Sequence, residues 1–115
     1  MPDMVRSVYE LLARQYGADV SVEDPTTNLS IGTTDLIIAQ NNPRRVAMVV
    51  INLSANVLYL KPGNPATTTS GIRLGAAGGS LSVNWTTDLH LPSLEWHAIA
   101  SGAASAIYIT SVVLI

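Results

Sequence analysis

Asp88, His90, Glu95 and His97 are interleaved in one short stretch of the chain. Imidazole and carboxylate together make a ligand set for zinc or another first-row metal. If Pro92-Ser93 is the tip of a hairpin, antiparallel pairing sets His90 opposite Glu95 and Asp88 opposite His97, which gathers four ligand groups. The spacing lacks the His-x-His pair that marks cupin metal centres, so the expectation is cross-strand ion pairs or solvated side chains, with no metal and no cofactor. Ser93, His97 and Asp88 also supply the residue types of a hydrolytic triad. A nucleophile needs a strained elbow with backbone donors around it, and nothing near Ser93 has that form. Gly75-Ala76-Ala77-Gly78-Gly79 has neither the Gly-x-Gly-x-x-Gly order nor a following Lys-Ser/Thr, so it reads as a turn and not a phosphate cradle. No catalytic residue is assigned, and the chain is not expected to be an enzyme.

Trp85 and Trp96 have the ring faces that stack on sugars or bases. Each alternates with polar neighbours as core aromatics do, and Leu81, Val83 and Trp85 are expected on one buried face, with Ser80, Ser82 and Asn84 on the wet one. Asn-x-Ser/Thr sequons occur at Asn28, Asn52 and Asn84. They read as incidental, because Met1 to Tyr16 carries Asp3, Arg6, Glu10 and Arg14 and leaves no unbroken apolar region for a signal peptide. Arg44-Arg45 reads as a solvated turn before a strand.

The elements that must position these groups are set in an unusually uncharged background. After Arg45 only Lys61, Arg73, Asp88 and Glu95 are ionised, while Val, Ile and Leu abound. The net charge of −2 divides unevenly: six acids (Asp3, Glu10, Asp19, Glu23, Asp24, Asp35) face Arg6 and Arg14 in the first 35 residues, a balance of −4, and the rest sums to +2. No clustered basic face is available to replace phosphate counterions, which excludes a general nucleic-acid binder. Hydrophobic residues are 48 % and mean hydropathy is +0.32, yet the longest apolar run, Val46 to Ile51, is six residues. A membrane span needs about 20. With no cysteine among 115 residues, stability must come from packing in one core.

Val5, Val8, Tyr9, Leu12 and Tyr16 fall on one face of a helix capped by Asp3 and ended by Gly17, an amphipathic contact arm over residues 1–17. A lone helix of this length is marginal in water, so that face is a candidate partner contact. Residues 18–115 read as one β domain. Val20 and Val22 alternate, Leu36 to Ile38 is short, Arg45 to Leu53 is apolar on both faces, and Ser54-Ala55-Asn56 returns the chain to Val57 to Lys61 as a hairpin. Gly71 to Leu74, Ser80 to Trp85, Leu94 to Ala100 and Ala106 to Ile115 complete the set. The apolar ending Val112 to Ile115 must be covered, inside a sheet or by another chain. The fold class is all-β, an antiparallel β-sandwich or jelly roll of about eight short strands with one N-terminal helix.

The order Asn42-Pro43-Arg44-Arg45-Val46, Val50 to Ser54, Leu58-Tyr59-Leu60, Ser70 to Leu74 and Trp96 to Gly102 resembles small β-sandwich virion proteins of bacteriophages, across roughly residues 40–110. That resemblance implies a virion structural accessory protein, foremost a capsid decoration or cement protein binding the capsid lattice as a homo-oligomer, with a trimer favoured. Its partners would be the major capsid protein or other virion proteins, with no nucleic acid or membrane involved, and its location the virion, assembled in the host cytoplasm. A head-tail adaptor or fibre component is the alternative in the same class, and a carbohydrate-binding sandwich the alternative outside it.

Overall fold

The computed structural model describes Glu10, Leu11, Arg14, Gly17, residues 20–23 and residues 29–114. Nine strands lie among the described residues: β1 (Val20–Glu23), β2 (Leu29–Ile31), β3 (Leu36–Ala39), β4 (Arg45–Asn52), β5 (Leu58–Pro62), β6 (Ile72–Leu74), β7 (Ser80–Asn84), β8 (Trp96–Ala100) and β9 (Ser105–Leu114). A one-turn helix, α1 (Trp85–Asp88), and a 3-10 turn (Leu91–Ser93) join β7 to β8.

The strands form two antiparallel sheets. The first runs β1-β9-β4-β7, with β2 also on β9, and the second runs β3-β8-β5-β6. The pairing is nested: β5 with β6, β4 with β7, β3 with β8, and β1 and β2 with β9. One long hairpin is thereby wound over itself. Side chains alternate across each strand, so one face of each sheet turns inward. On β9 the inward set is Ser105, Ile107, Ile109, Ser111 and Val113. The core joins Ile31, Met48, Val50, Val83, Ile107 and Ile109 of the first sheet to Ile38, Leu58, Leu60, Leu74, Trp96, Ala98 and Ala100 of the second. The architecture is an all-β sandwich. Trp96 is its largest fully buried side chain, and its indole N–H donates to the Leu91 carbonyl at 2.9 Å.

β4 and β5 are not a hairpin. They belong to different sheets, as do β8 and β9, and the connections between them arch over one end of the sandwich. Asn52 is the physical reason for the first arch. Fully buried, its Nδ2 donates to the carbonyls of Asn56 (2.8 Å), Gly75 (3.0 Å) and Leu74 (3.4 Å), and its Oδ1 accepts from Ser54 N (2.9 Å) and Ser54 Oγ (2.7 Å). These bonds hold the β4–β5 connection against the start of the β6–β7 turn.

Trp85 also departs from expectation. The Ser80–Asn84 alternation holds as far as buried Val83, but Asn84 then caps α1: its Oδ1 accepts from Thr87 N at 3.1 Å, and Asp88 Oδ2 accepts from Asn84 N at 2.9 Å. The change from strand to helix rotates Trp85 off the inner face and leaves it 40 % exposed. Arg45 moves the other way. A register shift between Arg45 and Ala47, a β-bulge against β9, puts Arg45 on the same inward side as Met48. There Nη1 donates to the carbonyls of Pro92 (3.0 Å) and Leu94 (3.2 Å), and Nη2 to that of Gln40 (2.7 Å). Far from lying in a solvated turn, Arg45 is a buried clamp. Burial lowers its pKa from the usual guanidinium value, against the pull of the Glu23 carboxylate.

The amphipathic face of Val5, Val8, Tyr9, Leu12 and Tyr16 lies outside the described residues. Glu10, Leu11 and Arg14 are helical, and Arg14 Nη2 meets Glu10 Oε1 at 3.2 Å, the i,i+4 pairing of a helix surface.

Candidate functional site

The histidine chemistry sought in the sequence forms around a different partner. His97 on β8 turns to the outer face of the second sheet, between Ile37 of β3 and Lys61 of β5. It is only 6 % exposed. Its Nδ1 lies 2.7 Å from Asp35 Oδ2 and its Nε2 lies 2.7 Å from Glu95 Oε1. The other Asp35 oxygen accepts from Ala66 N at 2.8 Å, and Lys61 Nζ donates to Ser70 Oγ at 2.7 Å. Three connections, those before β3, after β5 and before β8, are thus tied through one imidazole.

Both ring nitrogens face carboxylates, which only accept, so the doubly protonated ring makes both bonds and the neutral ring one. Burial is the largest single influence on its pKa and pulls it down. The hydrogen bonds to Asp35 and Glu95 and the charges of those carboxylates together outweigh burial, and the pKa stands above the ordinary histidine value. With both nitrogens engaged, His97 has no lone pair free to activate a nucleophile. The arrangement is a clamp.

Asp88 and His90 take no part in it. Leu91–Ser93 is a 3-10 turn and not a hairpin tip, so the His90–Glu95 and Asp88–His97 pairings do not form; Asp88 binds back into α1, and His90 precedes the 3-10 turn. Ser93 Oγ donates to the His90 carbonyl at 2.7 Å. Among the described residues, no group of three His, Asp or Glu side chains is arranged to hold a metal ion. Nor is any helix among them long and apolar enough to cross a membrane.

A second feature occupies the outer face of the first sheet. By register, that face is built from Val20 and Val22 of β1, Ser30 of β2, Ala47, Val49 and Ile51 of β4, Ser80, Ser82 and Asn84 of β7, and the β9 residues Ala106, Tyr108, Thr110, Val112 and Leu114. It bears no Asp, Glu, Lys, Arg or His. At one end, Val20, Val46, Ala47, Asn84, Trp85, Thr86 and Val112 line an apolar groove of about 190 Å³. The sequence signal for this face was the scarcity of charge after Arg45. The groove itself was hidden because Trp85 read as core.

No protein-family model matches the chain. No curated protein matches it either. Among solved structures it is similar to a chain described under "Bacillus endospore appendages form a novel family of disulfide-linked pili", with a TM-score of 0.50 and 12 % sequence identity over 84 % of this chain and 88 % of that one. At that identity the similarity is one of fold.

Proposed function

We propose that this chain is a structural subunit that works by being buried against other subunits, as a virion accessory protein of the capsid decoration or cement kind, with a head-tail adaptor or fibre component as the variant within the same class. The carrying observation is the outer face of the first sheet: five adjacent strands with no Asp, Glu, Lys, Arg or His on it, built mainly from Val and small uncharged polar residues. Apolar area withdrawn from water contributes about 25 cal/mol per Å², and an uncharged sheet face gives that without stranding a charge. The nested strand order supports reading the sandwich as a jelly roll, an architecture shared by capsid proteins and lectins. The structural neighbour is described as a pilus component, which supports an assembling role more generally. Disulfide linkage does not carry over, since this chain has no cysteine.

The carbohydrate-binding reading gains the exposed Trp85. Its groove offers few groups for sugar hydroxyls: Asn84 Oδ1 is already engaged by Thr86 and Thr87, and Val20, Val46, Ala47 and Val112 are aliphatic.

The test is sedimentation of the purified protein with undecorated phage capsids. Saturable co-sedimentation supports a decoration or cement role. Protein that stays in the supernatant at every concentration, while soluble glycans quench Trp85 fluorescence, would replace this reading with the carbohydrate one.

A further inference from the structure

Leu89 is 72 % exposed, more than any other large hydrophobic among the described residues. Its backbone is left-handed, with φ 56° and ψ −120°. A bulky side chain is rarely held there, and glycine fits the same turn without strain. Substitution by glycine would therefore ease the fold. The leucine costs conformational strain and packs against little of its own chain, which points to a use outside the monomer.

The apolar groove on the outer face of the first sheet lies beside it. Trp85 and Thr86 form one wall, and Leu89 N donates to the Trp85 carbonyl at 3.1 Å, so knob and groove are one helical turn apart. A cavity near 150 Å³ accommodates benzene, so a groove of about 190 Å³ has room for a branched aliphatic side chain. Asp88, the nearest acid in sequence, is occupied by Asn84 N and Thr87 Oγ1.

We infer that this groove and Leu89 form a self-complementary docking site for a second copy of the chain, with Leu89 of each copy seated in the groove of the other. The inference rests on the reading of the chain as an assembling subunit and names the surface that assembles. The occupant follows from charge and symmetry. A partner presenting acids or bases here would bury them unpaired, whereas this uncharged face meets its own copy without that cost. A contact in which Leu89 of each copy enters the groove of the other is isologous, the arrangement a two-fold rotation generates. A two-fold pair, and not the trimer expected from the sequence resemblance, is the order this surface builds.

Sedimentation velocity on the full chain tests it, comparing wild type with Leu89→Gly and with Ala47→Leu, which fills the groove and leaves the knob alone. The wild type should dimerise. Leu89→Gly should raise the urea midpoint of the dilute monomer while weakening dimerisation about tenfold or more, since a central anchor is removed. Ala47→Leu should weaken dimerisation to a similar degree. If Leu89→Gly stabilises the monomer and dimerisation is unchanged, this surface is not the interface, although an assembling subunit using another face survives. A wild type that stays monomeric to millimolar concentration overturns the docking site outright, and capsid sedimentation then decides the wider reading alone.

Discussion

His97 keeps both of its hydrogen bonds only as the imidazolium, so the clamp on Asp35 and Glu95 carries a pH dependence of known sign. The folded pKa is raised, which means that the folded state binds the proton more tightly than the unfolded chain. The stabilisation is fully present below the unfolded value of about 6.5 and is lost as pH rises through the higher folded value. Lys61, across the strand pair, is held on Ser70, leaving Asp35 and Glu95 as the charges that face the ring. Urea midpoints measured from pH 5 to 9 should fall on the alkaline side, and His97→Gln should flatten that slope. An unchanged slope in the variant would place the titrating group elsewhere. Asn52 is a residue of the same kind without a charge. Asn52→Ala takes one donor from the Asn56, Leu74 and Gly75 carbonyls and leaves the Ser54 amide without its acceptor, and an unpaired buried group costs about 1–3 kcal/mol, so the expected loss is roughly 1–3 kcal/mol in equilibrium unfolding. A loss under about 0.5 kcal/mol, the size of an ordinary surface change, would mean that water replaces the side chain.

At the scale of elements, the two tryptophans separate what short-range pattern can reveal from what it cannot. Trp96→Ala removes the largest fully buried side chain and should cost about 3–5 kcal/mol, while Trp85→Ala, on a half-open groove, should cost about 1 kcal/mol or less. Comparable losses in both variants would put Trp85 back in the core, where the alternation of Ser80 to Trp85 had placed it. That alternation was legible as far as Val83, because period two is a property of the strand itself. It failed at Trp85 because the Asn84 cap and Asp88 end the strand one residue early, and a single change from extended to helical backbone redirects the next side chain. Existence and rough limits of eight of the nine strands are likewise readable from Val, Ile and Leu runs between turn residues, while β2 (Leu29–Ile31), three residues set among polar loop residues, is not. Sheet membership was not. Ser54-Ala55-Asn56 has the composition of a hairpin turn, and only contacts from Asn52 to Leu74 and Gly75 turn it into an arch between sheets. Arg45 escapes local pattern for a related reason: a one-residue bulge, invisible in the sequence, decides whether it meets water or the carbonyls of Gln40, Pro92 and Leu94. Asp35 and His97 are 62 positions apart, and no local motif joins them.

For the whole molecule, the scarcity of charge after Arg45 becomes a statement about how the protein associates. The nested strand order leaves β1 and β2 on β9, β9 on β4, and β4 on β7, and their shared outer face carries no Asp, Glu, Lys, Arg or His. The charges of the second sheet, Lys61, Arg73 and the His97 clamp, lie on the opposite side of the sandwich. A net charge of −2 adds little long-range repulsion between copies. On the proposed docking, association through the first sheet is driven by apolar burial, which screening does not weaken. Raising ionic strength from about 0.01 to 0.15 M shortens the Debye length from roughly 30 to 8 Å and should leave the dimer dissociation constant almost unchanged. The same association should show a negative heat-capacity change, the marker of buried apolar surface. Sedimentation equilibrium across the salt series, with calorimetric dilution at several temperatures, measures both. A loss of affinity of tenfold or more over that range would mean that ion pairs carry the contact, with Arg44 or the acidic first third of the chain as the candidates. The uncharged face would then be surface that the fold exposes without using.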